Sequence, residues 1–371
     1  MQNTVAALRS RVRSLGASAA DGKNIVAFSG GVDSSLVAAL VHHVFPGSSQ
    51  ACVGVSSALP TAQLDLARSV ASHIGIPLTE VSTTEGSDPD YIANEGQSCF
   101  HCKTHLYSAL EAVAAQAGVE SRRGSSETAG AGAGAGAAVG RHHAPTPSSA
   151  EAGAEPFTGR ERRKVVLFNG TNKDDKRDTT RVGLKAAANF QVASPIDMLT
   201  KAEVRAVARE LGLPNWNHAA SPCLRSRLAF GVHATQENLV LVEKAEDAAR
   251  KRLRLGVSHN LRVRAMHGNK ALLEVDAGEV LDEAVRSIED LRSLILPLGF
   301  GEVDVRAFRS GAVSGGATTP DNSSSPVHPG APTNQEKLWV AGGVPAGVVD
   351  GVEVYRVEGT ATAAGAARPH E

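Results

Sequence analysis

Long apolar runs are missing from this chain. No stretch of about 18 apolar residues occurs, which excludes a membrane-spanning helix. An excess of one charge is missing too. Across 371 residues the formal net charge is −1, with no long basic run. That argues against a protein held to nucleic acid by an electrostatic footprint. Cysteine is scarce: Cys52, Cys99, Cys102 and Cys223 are the four present, too few for a disulfide scaffold in so long a chain. A Cys-x-x-Cys pair in a reducing compartment points to metal or redox chemistry instead.

What remains is globular in composition, with 42% hydrophobic and 21% charged residues, and long enough for about two domains. The N-terminal stretch is Arg-bearing and poor in acids, as transit peptides are, but Val5, Leu8, Val12 and Leu15 fall at helical spacing and predict an amphipathic helix. Short apolar runs at 24–28, 51–55, 78–82 and 164–170 alternate with helical patterns at 34–44, 61–75 and 103–117. Thr200 caps a further helix, with Glu203 completing a capping box. Strands alternating with helices imply an α/β fold with a doubly wound, mostly parallel sheet. This first domain spans 1–231. It is interrupted at 121–163 by a Gly/Ala/Pro-rich stretch that cannot build a core and predicts a disordered insertion. A small α+β domain is expected over 232–310, with one helix at 278–297. A low-complexity linker and C-terminal extension follow over 311–371, where KLWVAG and GVEVYRVEG resemble a hairpin.

The strongest motif is Ser29-Gly30-Gly31-Val32-Asp33-Ser34-Ser35, between a strand and a helix. Its glycines let backbone approach a phosphate, and the helix N-terminus presents free N–H groups and a positive dipole end. Ser29, Ser34 and Ser35 add hydroxyls, and Asp33 is placed to hold Mg²⁺. The lysine of a Walker A loop is absent. A second loop, Gly170-Thr171-Asn172-Lys173-Asp174-Asp175, follows another strand and falls at the same carboxyl edge. Thr171 and Asn172 can reach a nucleotide, and Asp174 or Asp175 its metal. Arg181, Gly183 and Lys185 continue the segment, the two cations suited to clamping a phosphate or carboxylate.

Cys223 follows a proline and is flanked by Arg225 and Arg227, whose charge favours a thiolate. Cys99 and Cys102 stand at a helix start, which also lowers thiol pKa. Two thiols do not complete a zinc site. With Cys223 there are three, which suits a [4Fe–4S] cluster with one iron open. Cys52 falls inside an apolar strand and reads as core. Arg262 and Arg264 alternate on one strand, so they face one side and make a phosphate fork. The competing reading is a solvated edge strand.

These residues resemble the LarE-type ATP-dependent sulfur transferases of the PP-loop adenine-nucleotide hydrolase-like superfamily. SGGVDSS, CFHCK, GTNKDDKRDTTRVGLKAA, LTKAEVRAVARELGLPNW, ASPCLRSRLAFG, LRVRAMHGNKALLEV and GFGEVDVRAFRSG match in order, over roughly 1–120 and 164–312. The resemblance implies ATP and Mg²⁺ as cofactors. It also implies adenylation of a carboxylate of pyridinium-3,5-biscarboxylic acid mononucleotide, a precursor of the nickel-pincer cofactor. Sulfur then displaces AMP. Carried over by position, Ser29 to Ser35 hold pyrophosphate and ATP, Cys223 takes the place of the sulfur-donating cysteine, and Arg262 and Arg264 bind the substrate phosphate. Some members sacrifice the cysteine sulfur, leaving dehydroalanine. Those with the extra Cys-x-x-Cys resemble cluster-dependent carriers, and three cysteines favour the cluster here. Expected partners are a small-molecule nucleotide substrate and further copies of the chain, without nucleic acid or membrane, in the cytoplasm. The alternatives are another PP-loop adenylating enzyme (NAD or GMP synthetase-like, or a tRNA thiolase) and a nucleotide-binding protein without catalysis.

Overall fold

The strand β1 (Lys23–Ala27) is apolar on both faces, and both faces are covered. The computed structural model describes residues 2–18, 22–126, 165–178 and 181–308, and two further strands at 344–349 and 352–356. Four parallel strands form the first sheet in the order β3-β2-β1-β4, with β2 at Ser49–Val55, β3 at Leu78–Ser82 and β4 at Val165–Phe168. Val26, Val53 and Phe168 point to one side, where α1 (Gln2–Leu15), α2 (Val32–Val44), α3 (Thr61–Ile74) and α8 (Lys201–Glu210) cover them. Ile25, Cys52 and Leu167 point to the other, under Tyr107 and Leu110 of α5 (Ser98–Ser126) and Ala186 and Ala187 of α7 (Gly183–Asn189). Parallel strands buried on both faces read as continuous apolar runs, which is why they were legible. The fold is the expected α/β class. Cys52 is fully buried and burial pushes its thiol up to about 12, as a core residue.

Because β4 lies on the far side of β1 from β2, the sheet reverses its winding between β1 and β4. A crevice opens at the carboxyl ends of the strands there, and such crevices are where open α/β sheets bind ligands. Two short helices follow strands at this carboxyl edge: α4 (Pro89–Ala93), capped by Asp88, after β3, and α6 (Lys173–Arg177), capped by Asn172, after β4.

The second sheet runs β5-β6-β7-β9-β8. Strands β5 (Leu261–Met266) and β6 (Lys270–Val275) are antiparallel, and β7 (Glu302–Ala307) joins β6 in parallel. The helix α9 (Gln236–Arg252) packs beneath them. The single helix expected at 278–297 is two, α10 (Glu279–Arg286) and α11 (Ile288–Ile295). They divide at Ser287, which ends the first and begins the second and whose Oγ donates to the Glu283 carboxylate at 2.8 Å. Strands β8 (Val344–Val349) and β9 (Val352–Arg356) pair antiparallel, and β9 extends the sheet beyond β7. Of the two expected hairpin strands, KLWVAG lies outside the described residues, while β9 falls within GVEVYRVEG. At the other boundary α5 runs through Ser126, so it takes in the first residues of the expected insertion; 127–164 lie outside the described residues.

Candidate active site

The loop after β1 is held open by its neighbours. Gly30 has φ of 69°, and a Cβ there would lie 2.8 Å from the Ala67 backbone of α3, so glycine is required both by conformation and by close approach. Gln63 donates to the Ser29 carbonyl, and the buried Asn215 donates to the Gly30 carbonyl at 2.7 Å and to Ser35 Oγ at 2.9 Å. Ser34 Oγ bonds the Gly31 carbonyl and faces Ser29 Oγ at 3.1 Å. The serines thus brace the loop itself, and no side chain caps the N-terminus of α2. Its first N–H groups are left for an anion.

The second loop touches the first. A Cβ on Gly170 would lie 2.7 Å from Ser34 N, so only glycine lets the loops meet. Asn172 is buried: it closes the α6 capping box with Asp175 and donates to Asp33 Oδ1 at 3.0 Å. Thr171 N–H bonds Asn169 Oδ1. Asp174 accepts the backbone N–H of Lys201 at 2.8 Å, while Asp175 pairs with Arg181 at 2.7 Å. Burial and then repulsion from Asp33 raise the Asp175 pKa against the pull of Arg181. The carboxylate most directly over the loop is Asp33, and the side chain of Lys201 pairs with it. Lys201 was missed in the sequence. Its signal was the first position of a helix whose cap was recognised.

The cysteines share the same edge. Leu224 N–H bonds the Ala58 carbonyl beyond β2 at 2.8 Å, and Asn169 at the end of β4 lies 3.4 Å from Tyr107 Oη of α5. Cys102 and Cys223 pack in one cluster with Tyr91 and Ile92 of α4. Arg225 donates to Cys99 Sγ and to Asn94 Oδ1. Burial, followed by the nearby Cys223, pushes the Cys102 thiol up to about 12. Lys103 stands among them. Burial works against its charge, but Tyr107 and the three thiols hold its ammonium above the ordinary value. Among the described residues the three sulfurs are not gathered within 4.8 Å of one another. Thiolates on a single tetrahedral zinc would stand about 3.8 Å apart, given Zn–S bonds of about 2.3 Å.

On the second sheet the two arginines separate in role. Arg264 is 2% exposed and spent: Nε bonds Glu274 Oε2 at 2.8 Å and Nη1 the Ser226 carbonyl at 2.6 Å. Glu274, fully buried, is also held by Arg306. Arg227 pairs with Glu246 and also donates to the Pro222 carbonyl. Arg262 lies over the Phe308 ring at 4.4 Å and, among the described residues, has no carboxylate partner. Burial and the repulsion of Arg227 and Arg264 bring its guanidinium down to about 10. Four arginines, Arg227, Arg262, Arg264 and Arg306, share this region with the three carboxylates of Glu246, Glu274 and Asp304, an excess of positive charge suited to an anion.

Sheet, switch point and lysine-free glycine loop define a PP-loop nucleotide-binding protein. A family described as asparagine synthase matches residues 13–94, from before β1 to α4. The chain is 29% identical over 300 residues to an uncharacterized protein of Synechocystis sp., covering 78% of this chain and 91% of that one. It is likewise 29% identical over 294 residues to the pyridinium-3,5-bisthiocarboxylic acid mononucleotide synthase of Lactiplantibacillus plantarum, covering 78% and 88%. The chain carries a PP-loop-like nucleotide-binding fold and is similar to the LarE-type sulfur transferases. These findings support an ATP-using, adenylating enzyme that works with Mg²⁺. Among the described residues, no helix is long and apolar enough to cross a membrane.

Proposed function

We propose that this chain adenylates a substrate carboxylate with ATP and converts it to a thiocarboxylate. By its likeness to the plantarum synthase, the substrate is pyridinium-3,5-biscarboxylic acid mononucleotide, in nickel-pincer cofactor synthesis. The observation that carries this reading is the placement of the phosphate loop and three cysteines on one carboxyl edge of one sheet.

The free N–H groups of α2 hold the pyrophosphate portion of ATP, and Asp33 holds Mg²⁺. The substrate carboxylate attacks the α-phosphate, and pyrophosphate leaves. Arg262 receives the substrate phosphate, while Arg264 is the buried strut behind it. Sulfur then attacks the acyl carbon, and AMP leaves. Cys99, Cys102 and Cys223 would hold a [4Fe–4S] cluster, whose chemistry when bound is to deliver inorganic sulfide. Two facts support that fit: Cys102 and Cys223 pack in one cluster, and Glu85, whose charge bears on the Cys102 thiol, has a buried Oε2 without a partner among the described residues.

Exchange of labelled pyrophosphate into ATP tests the adenylation. Exchange that depends on the biscarboxylate nucleotide is expected. Its absence, or exchange indifferent to that substrate, overturns the proposal.

A further inference from the structure

Two side chains of the thiol pocket have unmet hydrogen-bonding capacity. Glu85 is 3% exposed and its Oε2 has no partner; Tyr91 is 2% exposed and its phenolic oxygen has none. A desolvated carboxylate oxygen without a donor is costly and is ordinarily paired or bound to a metal. The other glutamate buried this deeply, Glu274, is held between Arg264 and Arg306. Among the described residues Glu85 has no such cation.

Its position says what it faces. Glu85 opens a 3₁₀ turn, Glu85–Ser87, that packs on both α4 and α5. Its charge lies close enough to add to the upward push on the Cys102 thiol and on the Tyr91 phenol, behind burial and neighbouring thiols. Tyr91, Cys102 and Cys223 pack in one cluster. The turn, α4, α5 and the Cys223 segment thus bring together two thiols, a carboxylate with one unpartnered oxygen and an unpartnered hydroxyl.

We propose that Glu85 is the fourth protein ligand of the metal centre held by Cys99, Cys102 and Cys223, a carboxylate that occupies the sulfide position until sulfide arrives. Hydrosulfide enters as the carboxylate oxygen leaves. One anion replaces another, nothing is oxidised or reduced, and the freed carboxylate stays in the pocket. Tyr91 is the hydroxyl donor to the anion at that position. This inference rests on the cluster reading above.

The test uses the full chain loaded anaerobically with iron and sulfide, beside Glu85→Gln and Glu85→Asp variants loaded in the same way. Iron content, the electron paramagnetic resonance of the reduced proteins, and a sulfide titration followed by visible absorption are measured. Equal iron content, an altered resonance in Glu85→Gln, and sulfide binding about tenfold tighter in that variant are expected, because a competing ligand lowers apparent affinity by the fraction of free sites. Glu85→Asp, with a shorter reach, should fall between. Identical resonance and identical sulfide titration in wild type and Glu85→Gln overturn the assignment and leave the cluster standing. Should the wild-type chain take up no iron, the assignment falls together with the cluster, while pyrophosphate exchange still reports on adenylation by itself.

Discussion

Lys201, at the first position of α8, pairs through its ammonium with Asp33 of the phosphate loop, 168 residues away in sequence. The loop has no lysine of its own, and this one reaches it from across the crevice. If Asp33 takes the metal of Mg·ATP, as proposed, the Lys201 ammonium is released and free to meet the phosphates. Lys201→Ala should raise the KM for ATP about tenfold to a hundredfold, the cost of one charge-assisted bond of about 1.5–3 kcal/mol. Exchange measured at varied ATP checks this; an unchanged KM would reduce the pair to a structural clasp.

Asp33→Ala should abolish AMP formation with the fold intact. Asp33 is partly exposed on the loop and not in the core, so circular dichroism and melting temperature should change little. Continued ATP cleavage by that variant would remove Asp33 from the nucleotide site.

The two arginines of β5 should behave oppositely. Arg262→Ala should raise the KM for the phosphorylated substrate, by about 1–3 kcal/mol of binding, with little loss of stability. Arg264→Ala leaves Glu274 short of one partner in a fully buried site, and breaking such a pair costs about 3–5 kcal/mol of folding stability. Thermal unfolding beside steady-state kinetics separates them. Equal melting temperatures for both variants would refute the division of roles.

The source of sulfur divides on Cys99. Under cluster delivery, Cys99→Ala loses iron and sulfide-dependent turnover. Under sacrifice, it thiolates once, and Cys223 loses the mass of hydrogen sulfide. Intact-mass spectrometry after one turnover decides, and Cys223→Ala should be inactive in both cases.

Asp88 gives the chain an acid-sensitive joint. Burial would raise its carboxyl, but hydrogen bonds from His105, the Tyr91 N–H, His101 and the Asp90 N–H outweigh this and hold it near about 2. A free aspartate titrates near about 3.9. The tie between α4 and α5 is therefore complete above pH ~4 and lost as pH falls toward ~2. The melting-temperature gap between wild type and Asp88→Asn should shrink across that window. A gap constant with pH would count against it.

Much of this was legible because it is local. The phosphate loop is fixed by glycines and a strand–helix junction, and Thr200 and Glu203 sit three residues apart, so both can be read without knowing the fold. Long-range partnerships left no such mark. Alternation put Arg262 and Arg264 on one side of β5, but only the packed structure shows that Glu274 and the Ser226 carbonyl have already taken Arg264. Glu85 belongs to no motif, and its unpartnered Oε2 emerges only when its turn packs on α4 and α5. The helix expected at 278–297 kept its apolar periodicity across Ser287, so periodicity alone could not show the break.

The segment carrying Cys223 is fastened at both ends. Ala219, before Cys223, is bonded to the Val257 carbonyl; Leu224, just after it, to the Ala58 carbonyl on the side of the first sheet; Ala229 to the Ala265 carbonyl of the second; and Arg227 grips the carbonyls of Pro222 and Cys223. A thiol mounted this way is a post and not a swinging arm. Whatever reacts there must be carried to it, and a molecule with two groups to be treated must let go, turn round and enter again.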